Sequence, residues 1–322
     1  MLRLMAITIC LAVPLCGQEQ WRAGAAAAVE FQRDGRLADA ERALRSALED
    51  ARRLEPDLAP EATIYNNLGG IYQDMGRCDP AVQAYQRSID LWVKIGPGGE
   101  TYLLRTANHL VSLYMECGEV QDAERHYRAL VAPLIDTRAG RARDPDVSQA
   151  VANLGSIEFA RHRYREARAH YEEALAILER AADADSREMG VLLNNLAMTL
   201  LHTGEPERGL SLSRRSIAIL ETAAPASPLL IATLANGANM CLMAHYREEA
   251  EPLYGRALAI ARGTIGEENP LTANVMSRYA ALLKAGPRKQ EAAVLETRAR
   301  EIRLHLTHSA RETVDVRELS RK

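Results

Sequence analysis

Along most of this 322-residue chain, apolar residues recur at spacings of three and four, with polar residues between them. Tyr65, Leu68, Gly69 and Tyr72 form one such set, Ala107, Leu110, Val111 and Tyr114 a second, and Leu193, Leu196, Ala197 and Leu200 a third. This spacing puts each set on one face of an α-helix. Gly76, Gly118 and Gly204 then end the three helices. A second amphipathic segment follows each turn. Asp79-Pro80 reads as a helix N-cap with a first-turn proline, and Pro206 plays a similar part in a later unit.

The pattern returns at a fixed interval. Ala40, Ala81, Ala123, Ala167, Gly209, Ala250 and Ala292 occupy the same place in successive segments, at steps of 41, 42, 44, 42, 41 and 42 residues. A period this regular predicts a repeat array rather than two ordinary domains. Each helix pair is hydrophobic on one side only, so the pairs must stack into a curved solenoid to bury that side. With the small residue set as position 20, the units begin near Trp21, Ala62, Leu104, Ser148, Gly190, Ile231 and Ala273. Nearly half of the residues are apolar and 5% are aromatic, a composition that favours close helix packing over a β fold.

These units resemble the tetratricopeptide repeat, in the 42-residue form found in kinesin light chains, over about residues 21–305. The resemblance implies an all-α fold, a right-handed α-solenoid of about seven helix-turn-helix units. Four departures bear on local geometry. Gly24 and Ala27 stand where larger core residues are usual, consistent with a capping unit, and His162 and His245 replace the turn glycine. Gly237 stands at position 7 in place of Leu, and Gly286-Pro287 brings the last turn glycine one place early. Residues 18–305 read as the array, and 306–322 as a tail that either frays or caps the last unit through Val314, Val316 and Leu319.

Phasing the units exposes a second register. At roughly 100° per residue, positions 2, 6, 9 and 13 lie opposite core positions 4, 7, 8 and 11. In the arrays this chain resembles, that face lines a concave groove. Position 6 reads Asn67, His109, Asn153, Asn195, Asn236 and Arg278, and neighbouring positions add Asn66, Asn108, Asn194 and Asn239. Asparagine is a mediocre helix former, so its recurrence at one phase calls for a reason other than propensity. A carboxamide offers both donor and acceptor, which suits the backbone of an extended peptide. The same amides could instead bond an adjacent helix as packing elements. On the peptide reading, replacing Asn153 and Asn195 by alanine weakens partner binding and leaves thermal stability nearly unchanged. Phe159, Met198, Leu201, Leu242 and Met243 could hold apolar side chains of a ligand or pack against the next helix.

These observations give a non-catalytic scaffold that binds an extended peptide or protein segment in its groove. The alternative is an assembly subunit of a cell-envelope complex that docks through its convex face or its ends. Net charge is −3 with both signs interspersed, which argues against nucleic acid as the main partner. No phosphate loop, nucleophile elbow or other catalytic motif occurs, and no cofactor is expected. The Glu172-Glu173 and Glu248-Glu249 pairs read as solvated helix faces. His305 and His308 have helical ligand spacing but no third ligand nearby, so no metal site is expected.

Arg3 followed by the uncharged stretch Leu4–Leu15 reads as a secretory signal, with cleavage near Gly17. The stretch is too short to span a bilayer, and a lipid anchor at Cys16 is the alternative, although Leu15 fits it poorly. The expected destination is therefore periplasmic or extracellular. Removing the signal leaves Cys78, Cys117 and Cys241. Cys78 and Cys117 fall in consecutive inter-helix turns, where a bridge is open if their Cα atoms approach to about 7 Å. Cys241 falls at a core position.

Overall fold

A computed structural model describes residues 20–53, 57–136, 143–181 and 186–319, the side chains of 306–319 excepted. The signal segment and the whole connection between Asp136 and Arg143 lie outside the described residues. Among those described, every regular element is a helix. The chain divides into two compact units, residues 1–161 and 162–322. Unit 1 holds α1 (20–33), α2 (Leu37–Arg52), α3 (Ala59–Asp74), α4 (Cys78–Ile95) and α5 (Glu100–Glu116). It continues with α6 (Val120–His126), a π-helical turn at Tyr127–Val131, α7 (Ala132–Asp136) and α8 (Pro145–Ala160). Unit 2 holds α9 (Tyr164–Leu178), α10 (Ser186–His202), α11 (Pro206–Ala223), α12 (Pro228–Met243) and α13 (Arg247–Thr264). It ends with α14 (Pro270–Lys284) and α15 (Lys289–Leu319). The fold is an all-α helical-repeat solenoid.

The position-20 residues explain why the helices pair so closely. Ala40, Ala81, Ala123, Ala167 and Ala250 have no exposed surface, and Ala292 has 1%. At Gly209 the approach is tighter still, because an added Cβ would stand 2.9 Å from the backbone oxygen of Ala197. Seven residues after position 20, a serine ties the pair together in two repeats. Ser88 Oγ donates to Ala62 O at 2.8 Å, joining α4 to α3, and Ser216 Oγ donates to Gly190 O at 2.6 Å, joining α11 to α10. Both hydroxyls are fully buried.

The first helices bury a wider arc than positions 4, 7, 8 and 11. Positions 3 and 10 are buried as well: Ile64, Thr106, Ala150, Leu192, Thr233 and Val275 at the former, Ile71, Leu113, Ile157, Thr199, Met240 and Leu282 at the latter. Together with position 1 they extend the buried arc to about half of the helix circumference. A first helix must pack against its own partner and against neighbouring repeats, which leaves the other half, carrying positions 2, 6, 9 and 13, as the strip toward solvent.

The turns keep their geometry where glycine is missing. Gly76, Gly118 and Gly204 have φ of 67°, 79° and 86°, and His162 and His245 take the same left-handed conformation at 62° and 66°. Left-handed backbone costs a non-glycine residue about 1–2 kcal/mol, so the stacking of neighbouring repeats holds these turns against local preference. The last turn does differ, because Gly286 is not left-handed.

Second helices are laced by surface ion pairs. In unit 1 these include Arg77–Glu41 and Arg161–Glu124. In unit 2 they include Arg208–Glu172, Arg215–Glu179 and Arg288–Glu251. Each is worth little alone. Unit 1 also carries a covalent tie: Cys78, at the start of α4, and Cys117, just after α5, form a disulfide with a Cα–Cα distance of 6.4 Å. Cys241 is a buried thiol, as its core position predicts. Among the described residues no helix is long and apolar enough to cross a membrane.

Candidate functional site

The ten residues predicted to line the groove all fall on first helices. Asn66 and Asn67 lie on α3, Asn108 and His109 on α5, and Asn153 on α8. Asn194 and Asn195 lie on α10, Asn236 and Asn239 on α12, and Arg278 on α14. Within each unit a regular step links them: position 6 of one helix bonds position 5 or 6 of the preceding first helix. His109 Nδ1 lies 3.0 Å from Asn66 Oδ1, and Asn153 Nδ2 donates to Asn108 O at 3.1 Å. In unit 2, Asn236 Nδ2 donates to Asn194 Oδ1 at 3.3 Å and Arg278 donates to Asn236 Oδ1 at 3.0 Å. Positions 5 and 6 lie toward the two edges of the solvent-facing strip, so stacking brings unlike edges together in the first three contacts, and the long Arg278 side chain reaches from position 6 to position 6.

Three of these residues, Asn108, Asn153 and Asn194, leave the exposed row. Asn108 and Asn153 are 1% and 4% exposed. Asn153 Oδ1 accepts from Ser112 Oγ and Gln149 Nε2, both at 3.0 Å, so its carboxamide is spent between α5 and α8. Asn108 Nδ2 donates to Asp146 O at 2.7 Å. The expectation that Asn153 can be removed without loss of stability therefore needs correction, because its loss would leave buried partners unsatisfied. Asn67, Asn195 and Asn239 are half-buried and keep side-chain donor capacity open: the Asn67 and Asn195 carboxamides accept long bonds from the adjacent asparagine, at 3.5 Å, and the Asn239 carboxamide makes no hydrogen bond among the described residues.

Asn66, Asn67 and His109 meet at a cavity of about 200 Å³ in unit 1. Gln32 and Val29 of α1, Gly70 of α3 and Tyr85 of α4 also line it. The position-9 residue, Gly70, opens the space, since a Cβ there would touch only Tyr85 Oη at 3.7 Å. The Tyr85 and His109 rings lie 5.7 Å apart. Burial holds the His109 imidazole below the ordinary histidine value; Arg105 adds to that and Asp146 opposes it. The neutral ring that results donates from Nδ1 to Asn66, which leaves Nε2 as an acceptor. The cavity thus offers amide donors, an imidazole acceptor and an apolar wall from Val29, which is 43% exposed. The position-6 register points to Asn67 and His109. Gln32, at position 12 of the first unit, lies outside that register; it donates to Asp74 at 2.6 Å.

In unit 2, Met243 is 56% exposed beside this strip, whereas Met198, Leu201 and Leu242 pack partly against the core. Among the described residues no group of three or more His, Cys, Asp or Glu could hold a metal ion.

The tetratricopeptide repeat family model matches residues 23–92 and 146–222, in phase with the helix pairs above. Both matched segments are tetratricopeptide repeats. Solved structures of the same fold include BtubC (BKLC) from P. vanneervenii, 20% identical, covering 71% of this chain and 92% of that one at a TM-score of 0.56. A putative kinesin light chain of Podosopora anserina with nearly identical repeats is 21% identical, covering 64% and 97% at a TM-score of 0.51. A Rap protein complexed with competence and sporulation factor is 11% identical, covering 90% and 76% at a TM-score of 0.65. No curated protein matches this tetratricopeptide repeat chain in sequence.

Proposed function

We propose that this tetratricopeptide repeat protein is a non-catalytic scaffold that binds an extended peptide segment along the first-helix strip. The observation that carries the reading is the unit 1 cavity, where Asn67, Asn66 and His109 converge beside the open space at Gly70. Backbone amides of an extended chain would pair with Asn67 and with His109 Nε2, and an apolar side chain would rest on Val29. The open amides of Asn195 and Asn239 extend the same capacity into unit 2. The similar Rap fold, solved with a bound factor, supports a binding role.

A displayed library of random peptides, selected on the purified protein, tests this reading. Selected peptides should lose about tenfold in affinity when Gly70→Val fills the cavity together with Asn67→Ala. They should be indifferent to Gln86→Ala, an exposed position on α4. Equal affinity for all three proteins would remove the strip from the account, and sensitivity to Gln86 alone would favour docking on the outer surface.

We also propose that the chain is exported. The Cys78–Cys117 disulfide supports this, because such bonds persist in oxidising compartments. Alkylation under denaturing conditions, before reduction and on protein taken from its own cell, should spare both cysteines. Labelling of Cys78 and Cys117 would sink the proposal.

A further inference from the structure

Position 7 of the first helices carries Leu68, Leu110, Leu154 and Leu196 in turn, and α12 then breaks the series with Gly237. The bare backbone at Gly237, beside Cys241, floors a cavity of about 380 Å³ in unit 2. Its walls are Leu210, Ser213 and Ile217 of α11 and Leu253 of α13. This volume falls within the range of small-ligand pockets, and the cavity is separate from the first-helix strip of the peptide-binding reading.

Two further features define what could occupy it. Ser213 is fully buried, its Oγ has no hydrogen-bond partner, and it lies 2.9 Å from where a Gly237 Cβ would stand. A buried hydroxyl without a partner is costly, and a ligand acceptor would satisfy it. Both cations that line the cavity are already neutralised. Arg214 pairs with Glu249 and Arg256 pairs with Glu221, and each pair crosses between α11 and α13. These crossings leave room for a compact molecule but obstruct a polypeptide, and they remove any preference for a charged one.

We infer that the cavity between α11 and α13 binds a small, neutral, largely apolar compound that presents one hydrogen-bond acceptor to Ser213, in the manner of an alkyl or aryl ketone.

Acetophenone and its hydrocarbon analogue ethylbenzene serve as probes, titrated into methyl-labelled full-length protein and followed by NMR. Acetophenone should shift the methyl signals of Leu210, Ile217 and Leu253 saturably and bind about fivefold tighter than ethylbenzene. Ser213→Ala should erase that difference. Ala218→Phe, at an exposed residue on the cavity rim, should weaken both probes about tenfold while helical circular dichroism stays unchanged. Absence of saturable shifts at those methyls in the wild-type protein would overturn the inference. So would affinities unchanged by Ala218→Phe, or a ketone preference that survives Ser213→Ala.

Discussion

In the unit 1 row of first-helix amides, the Asn153 carboxamide is spent between α5 and α8: it accepts from Ser112 and Gln149 and donates to Asn108 O. Asn108 Nδ2 donates to Asp146 O, while Asn108 Oδ1 stays buried without a partner among the described residues. In unit 2 the matching row runs from Asn194 through Asn236 to Arg278 by single hydrogen bonds, and Asn195 and Asn239 stay open. Unit 1 adds a disulfide, and unit 2 instead holds a buried thiol beside a cavity. The two units share one repeat at one phase, so backbone geometry does not account for the contrast. The same asparagine at the same helical position is a packing element where a neighbour's side chain reaches it, and a candidate ligand contact where none does.

The largest test of this contrast is covalent. Opening the Cys78–Cys117 bond, which closes a loop of 39 residues, should cost unit 1 about 2–4 kcal/mol, since the unfolded chain regains its freedom. Hydrogen exchange followed segment by segment should show faster exchange in α3 to α6 on reduction and no change in α10 to α15. Equal loosening of both units would mean that they do not behave as separate bodies.

The second test compares two asparagines at position 6. Asn153→Ala strands Ser112, Gln149 and the Asn108 carbonyl, and should cost about 1–3 kcal/mol in urea unfolding. Asn195→Ala removes only a long acceptor contact and gains helix propensity, so stability should stay within about 0.5 kcal/mol. Similar costs at both sites would erase the distinction between spent and open amides.

The smallest effect is expected from pH. Unit 1 contains two histidines held below the ordinary value of 6.5, His109 and His126, with burial as the main cause in each. Both are neutral in the fold, so the unfolded chain binds more protons once the pH drops below 6.5. Unit 1 should be fully stable above that value and weaken as the pH falls through it toward the lower folded values. Glu116, raised by burial, works in the opposite sense, nearer the carboxylate range. Thermal unfolding between neutral and mildly acidic pH, repeated with His126→Phe, should show a shallower decline in the variant.

Much of the fold was legible in the periodicity, because position 20 is constrained by direct helix contact and admits only Ala or Gly. The turns survived substitution: His162 and His245 do what glycine does elsewhere, since stacking fixes the local conformation. The second buried stripe is mostly apolar, but Thr106, Thr199 and Thr233 interrupt it, and a polar residue at a core phase reads as surface. The register of the candidate site was legible, whereas the saturation of Asn153 was not. That depended on Ser112 and Gln149, which carry no signal until the stacking of α5 on α8 is known.

The Cys78–Cys117 bond also limits how far the molecule can be drawn out. Pulled from its two ends, the oxidised chain reaches full extension about 130 Å short of the reduced one, because the 39-residue span between the sulfurs is held in a closed loop. Tension on the protein would therefore pass around α4 and α5 through the sulfurs, and those two helices could stay wound while their neighbours are pulled straight.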